Sequence, residues 1–149
     1  MTASNSTNVL NNIPGAVLLA GAGKMGGALL TGWLAQGLEP TRVGVIEPHL
    51  SDDIRALAAK GVKLNPASGG IGPVAALVVA VKPQMFPEAG PQLKPFVGPD
   101  TLVVSIMAGT TVAAVRGACG GAVVRAMPNT PAAIGRGITV AVAAQGVDA

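Results

Sequence analysis

Apolar positions along this chain come in short runs, broken by glycine and proline, and two spacings alternate. Ala16-Val-Leu-Leu-Ala20 is a solid apolar run of strand length and predicts a first buried strand. From Lys24 to about Gln36, Met25, Leu29, Leu30, Trp33 and Leu34 approximate one helical face, and Gly37 follows as a stop. Val43-Gly-Val-Ile-Glu47 predicts a second strand, ending in a carboxylate before Pro48. Ser51-Asp-Asp-Ile54 opens a helix to about Lys60, with Ser51 as N-cap and two carboxylates on the positive end of its dipole. Val62-Lys-Leu64 reads as a short edge strand. Leu77–Val81, Thr101–Ile106 and Ala122–Ala126 read as buried strands, and Ile138–Val142 as a last one. Between them, Gln84–Phe96 carries Pro87, Pro91 and Pro95, which predicts a short or interrupted helix. Thr111–Cys119 predicts another short helix, closed by Gly120-Gly121.

The first strand leads into Gly21-Ala-Gly23-Lys-Met-Gly26, a Gly-x-Gly-x-x-Gly turn that opens the first helix. In this setting Gly21 permits the sharp turn and Gly23 lets a pyrophosphate approach the backbone. Gly26 lets helix and strand pack closely. The first-turn N–H groups then form a seat for phosphate, unless the turn is a plain strand–helix connection without a ligand. Strands alternating with helices imply βαβ units with right-handed crossovers. The expected fold class is therefore α/β: a Rossmann-type, doubly wound, mostly parallel sheet with helices on both faces. Residues 14–149 form one nucleotide-binding domain behind a polar, disordered tail at residues 1–13, and no repeat or linker divides it.

Composition narrows the function. Half of the 149 residues are hydrophobic and 11% are charged, so most elements are buried. With two Phe, one Trp and no Tyr, the core is built from aliphatic side chains, and nucleic-acid binding by base stacking is disfavoured. The net charge of +3 is scattered, with no basic stripe. A single cysteine, Cys119, excludes an internal disulfide, and with one histidine a metal site is not expected. The tail lacks a signal-peptide pattern, and no apolar run approaches the roughly 20 residues that cross a bilayer. These features predict a cytoplasmic protein.

In a doubly wound sheet, ligands bind beyond the carboxyl ends of the strands, where strand order reverses. Five motifs fall at such ends: Gly21–Gly26, Glu47-Pro48, Lys82-Pro83, Ala108-Gly109 and Met127-Pro-Asn-Thr-Pro131. Glu47 lies about 20 residues past Gly26, where an acid bonds the adenosine ribose hydroxyls. Alone it favours NAD over NADP, although His49 and Arg55 nearby offset the repulsion and leave the preference open. Lys82 either steadies a cofactor or anionic substrate, or ends its strand in solvent. Ala108-Gly109 suits a flat ring close to the backbone, and equally a plain turn. The stiff Met127–Pro131 loop, with Asn129 and Thr130 between prolines, suits substrate positioning and turn formation equally.

Gly21-Ala-Gly-Lys-Met-Gly26, Ala80-Val-Lys-Pro-Gln84, Val104-Ser-Ile-Met-Ala-Gly109 and Arg125-Ala-Met-Pro-Asn-Thr-Pro131 stand in the order and spacing of the pyrroline-5-carboxylate reductases, and from about Ala16 onward the chain resembles that family. The resemblance implies reduction of 1-pyrroline-5-carboxylate to L-proline by NADPH or NADH, the last step of proline biosynthesis. It implies that Ala20, Gly21, Ala22, Gly23, Lys24 and Met25 hold the pyrophosphate, with Gly26 behind them, and that Glu47 sits by the ribose. Ala80, Val81, Lys82 and Pro83, with Met107, Ala108 and Gly109, would line the nicotinamide half. Met127, Pro128, Asn129 and Thr130 would wall the substrate pocket. No catalytic side chain is assigned.

Two features depart from the family. Its members often carry a small or basic residue where Glu47 stands. The family also continues into a helical domain that supplies substrate contacts and the homo-oligomer interface, so this chain is expected to be the N-terminal domain, binding nucleotide with little or no turnover. Two other readings are a β-hydroxyacid-dehydrogenase-like NAD(P) domain and a non-enzymatic NAD(P)-binding module.

Overall fold

The computed structural model describes residues 9–127 and 140–143. Its framework is one sheet of seven strands: β1 (Ala16–Ala20), β2 (Val43–Ile46), β3 (Lys63–Leu64), β4 (Val74–Val79), β5 (Leu102–Ser105), β6 (Ala122–Met127) and β7 (Val140–Ala143). Their spatial order is β3-β2-β1-β4-β5-β6-β7. All neighbours are parallel except β6 and β7, which pair antiparallel with Met127 opposite Val140. The order runs outward from β1 in one direction and returns through β4 in the other, so the reversal lies between β1 and β4. The mostly parallel, doubly wound sheet expected from the sequence is present.

Among the described residues, four α-helices cover the sheet: α1 (Lys24–Ala35), α2 (Asp52–Ala56), α3 (Phe86–Leu93) and α4 (Val112–Cys119). Two apolar layers form. On one face Val17, Leu19, Val43, Val45 and Val78 pack with Leu30 of α1 and Ile54 of α2. On the other, Leu18, Leu77, Val79, Val103 and Val123 pack with Phe86 and Leu93 of α3 and with Val115 and Cys119 of α4. Alternate residues of β1 thus serve opposite layers, which is why its five residues are all buried and all apolar.

Several expected boundaries move. β4 starts at Val74 and ends at Val79, ahead of the apolar run that suggested Leu77–Val81, because Val79 and Ala20 close the β1–β4 ladder together. The second helix is one α-helical turn continued by a 3₁₀ turn at Leu57–Lys60, and its Ser51 hydroxyl accepts the Ile54 N–H as a cap. The proline-rich segment is short and interrupted, as expected: α3 lies between 3₁₀ turns at Pro83–Met85 and Lys94–Phe96. The last strand spans Val140–Ala143, and its antiparallel direction was not readable from composition.

Residues 1–8 of the expected tail lie outside the described residues. Val9–Asn12 form a 3₁₀ turn, and the Arg42 guanidinium donates to the carbonyls of Asn11 (3.0 Å), Gly15 (2.8 Å) and Ile13. Thr101, buried between β4 and β5, donates its hydroxyl to the Val74 carbonyl (2.6 Å) and accepts the Gly98 N–H (2.9 Å), so its polar atom is satisfied in the core.

Cys119 sits at the end of α4, 1% exposed, with its thiol against the Gly90 carbonyl of α3 at 3.5 Å. Burial pushes its pKa above the ordinary thiol value. Since the thiolate is the nucleophile, the native protein should leave this thiol unmodified by an aromatic disulfide reagent at neutral pH, and denaturant should release one equivalent at once. Colorimetric titration with and without denaturant checks this.

Candidate functional site

The parallel strands bring their carboxyl ends to one edge, where the Gly21–Gly26 turn lies at the β1–β4 reversal. Gly21 has φ +91°, and a Cβ there would lie 2.6 Å from the Ala80 carbonyl oxygen. A Cβ on Gly26 would lie 2.1 Å from the Gly21 carbonyl oxygen, so only glycine lets α1 start this close to β1. A Cβ on Gly23 would meet nothing within 4 Å, leaving its backbone open to approach from outside. The local chain is held by the sheet: the Gly21 N–H donates to the Ile46 carbonyl (2.8 Å) and the Ala80 N–H to the Ala20 carbonyl (2.7 Å).

The helix ends differ here. Ser51 caps α2 and Thr111 caps α4 through side-chain oxygens, whereas Gly23 gives α1 no side-chain cap. The first-turn N–H groups of α1 therefore retain capacity for an anion or water, at the positive end of a 12-residue helix.

Glu47 follows β2 and reaches back to this turn. Its Oε2 accepts the Ala22 N–H at 2.8 Å, and its Oε1 accepts the His49 N–H at 3.1 Å. Its main chain is held by Asn65, just past β3. The Asn65 side-chain oxygen accepts the Glu47 N–H (2.9 Å), and the Asn65 amide nitrogen donates to the Glu47 carbonyl (3.0 Å). Asn65 adopts φ +46°, alone in that region among the described non-glycine residues. Sequence reasoning missed it. The available signal was an asparagine before Pro66 at a strand end, since Asn tolerates the left-handed region and Asn-Pro marks turns.

These residues border a crevice of about 890 Å³. Ala20, Gly21, Ala22 and Gly23 line one part, Glu47, His49 and Asn65 another, and Ala80, Val81 and Lys82 a third. A fourth wall comes from α3 and its flanks, including Met85, Glu88 and Gln92, which the sequence did not single out because prolines break the helical spacing there. Among the expected site residues, Lys24, Met25 and Gly26 stand behind the turn on α1, and Pro83 opens the 3₁₀ turn after Lys82. Met107, Ala108 and Gly109 lie past β5 outside the crevice lining; Met107 is 2% exposed and packs in the core, with its N–H donating to the Ser105 hydroxyl at 3.3 Å. Met127 ends β6 with 40% of its surface exposed. Pro128, Asn129 and Thr130 lie outside the described residues. Among the described residues no cluster of His, Cys, Asp and Glu is placed to hold a metal, and no helix is long and apolar enough to cross a membrane.

Strand order, glycine turn and crevice define a Rossmann-type domain of the kind found in oxidoreductases. The chain belongs to the family described as NADP oxidoreductase, coenzyme F420-dependent, whose model matches residues 16–109. Among curated relatives, it is 34% identical over 124 residues to pyrroline-5-carboxylate reductase of Escherichia coli, covering 80% of this chain and 46% of that protein. It is 37% identical over 135 residues to that of Methanosarcina acetivorans, covering 85% of this chain and 46% of that protein. The solved pyrroline-5-carboxylate reductase of Coxiella burnetii superposes with a TM-score of 0.78 at 29% identity, over 90% of this chain and 51% of its own. The resemblance carried by the sequence motifs thus extends over 80% to 90% of this chain. The chain spans about half the length of the curated relatives it matches.

Substitution Gly26→Ala should destabilise the domain by about 1–3 kcal/mol, since the new methyl collides with backbone rather than with a movable side chain. Gly27→Ala, where the nearest atom is 3.5 Å away, should change stability by less than about 1 kcal/mol. Urea unfolding followed by circular dichroism measures both.

Proposed function

We propose that this chain is the nucleotide-binding half of a pyrroline-5-carboxylate reductase, which reduces 1-pyrroline-5-carboxylate to L-proline with NADPH or NADH as the last step of proline biosynthesis. The observation that carries the reading is the glycine turn at the β1–β4 reversal: a Cβ-free cradle, an α1 start without a side-chain cap, and the Glu47 carboxylate tied to the Ala22 N–H. The names borne by the similar proteins supply the substrate.

The residues present suit a dinucleotide. Ala20–Met25 form the pyrophosphate turn, in which the Gly21 and Ala22 N–H groups are held by Ile46 and Glu47. The first-turn N–H groups of α1 at Lys24 and Met25 face the pyrophosphate, and Gly26 keeps the helix close to the strand. Glu47 accepts from the adenosine ribose. Ala80, Val81, Lys82 and Pro83, with the Met107-Ala108-Gly109 segment that follows β5, flank the nicotinamide half. On the family resemblance the substrate side falls to Met127, at the end of β6, and to Pro128, Asn129 and Thr130, which lie outside the described residues. The nicotinamide, when bound, supplies the hydride for the imine carbon. The chain's own contribution is orientation and exclusion of water, so that the protonated imine meets the ring face in a reactive pose. No catalytic side chain is assigned among these residues. The partner is a small anionic imine; the whole enzyme is a cytoplasmic homo-oligomer, assembled through the family's helical domain.

Calorimetric titration of the 149-residue chain with NADPH and NADH should register saturable heat with at least one of them. In a coupled assay with pyrroline carboxylate, these residues alone should show little or no turnover. No heat with either nucleotide would overturn the nucleotide-binding reading. A robust steady-state rate would overturn the assignment of the remaining chemistry to other residues.

A further inference from the structure

We propose that Glu47, positioned by Asn65, makes this domain selective for NADH over NADPH, although the family is described by NADP. The inference rests on the nucleotide-binding reading above and goes beyond it by naming the form of the nucleotide. Glu47 sits on the crevice wall with both carboxylate oxygens already accepting backbone N–H groups, from Ala22 and from His49. An ionised carboxylate is acceptor-only, with further lone pairs on each oxygen. Two ribose hydroxyls can donate to it; a 2′-phosphate, itself all acceptors and doubly charged, finds only repulsion.

A flexible glutamate would swing away from that phosphate. This one is restrained at both ends. Its carboxylate is held by the two N–H donors, and its main chain is bracketed by both amide atoms of Asn65. Swinging the side chain out of the crevice breaks the two carboxylate bonds, and the Asn65 bracket keeps the main chain from shifting to relieve the repulsion. Compensating cations are also scarce. Among the described residues that line the crevice, only His49 and Lys82 are basic, and Lys82 follows β4, on the other side of β1 from Glu47. Arg55, which would be the natural phosphate clamp, is outside the lining and directs its Nε to the Leu50 carbonyl at 3.2 Å. Selectivity here is built by a fixed like charge against the wrong nucleotide rather than by an added contact to the right one.

The test is paired calorimetric titration of the 149-residue chain with NADH and NADPH at about 0.15 M ionic strength, where a partly buried pair is only partly screened. NADH should bind at least about tenfold more tightly. Glu47→Gln, nearly isosteric and uncharged, should bring the two dissociation constants to within about threefold, chiefly by improving NADPH. Asn65→Gly keeps the left-handed backbone accessible and removes only the bracket. It should lower the NADH:NADPH affinity ratio by about threefold or more, a change in ratio that a general loss of stability would not produce. Glu47→Ser provides a second uncharged variant should Glu47→Gln fold poorly, and it should narrow the ratio in the same direction. Equal or tighter binding of NADPH by the unaltered chain, or an undiminished preference in both Glu47 variants, overturns the proposal while leaving nucleotide binding intact. Failure of both nucleotides to bind removes the underlying reading as well.

Discussion

The structure turns on a place where three backbone segments meet without side chains. The end of β1, the start of α1 and the end of β4 converge at Gly21 and Gly26, where any added Cβ would fall between 2.1 and 2.6 Å from a carbonyl oxygen. That contact sets the depth at which α1 sits on the sheet. It lets Leu30 reach the layer formed by Val17, Leu19, Val43 and Val45, and it aims the helix start at the strand edge. A lifted helix would lose both apolar packing and the convergence of its first N–H groups. Stability of one layer and geometry of the crevice therefore depend on the same pair of glycines.

Glu47 links this point to the rest of the edge. It belongs to β2 by chain and to the glycine turn by hydrogen bond, and Asn65 ties it in turn to β3. β1, β2 and β3 thus end in one connected polar network rather than in independent loops. Such a network holds a charge at a fixed point with little room for adjustment, because each member uses donors and acceptors that the others need.

Much of this was legible in the sequence, for local reasons. β1 is apolar throughout because both its faces are covered, and the glycines at fixed offsets mark the turn that follows it. Ser51 announced the start of α2 because capping is a property of a few consecutive residues, and Thr111, expected as the first residue of a helix, proves to cap α4 in the same way. What was not legible depends on neighbours distant along the chain. Asn65 matters through its position beside Glu47, which follows from β3 pairing with β2. The family resemblance put Met107 beside the nicotinamide, yet its side chain packs into the apolar layer under α3 and α4. The α3 wall was hidden by prolines that blur helical spacing while Pro87 is accommodated in the first turn. The direction of β7 is set by its pairing with β6 and by no feature of its own four residues.

The Arg42 guanidinium gathers the carbonyls of Asn11, Ile13 and Gly15 at the amino ends of β1 and β2, the pole opposite the crevice. The leading segment is thereby moored on the far side of the sheet, beside Gly37 and Glu39. A fusion partner or surface linkage attached ahead of Val9 would accordingly hold the molecule by its back, leaving the glycine edge facing outward and unobstructed.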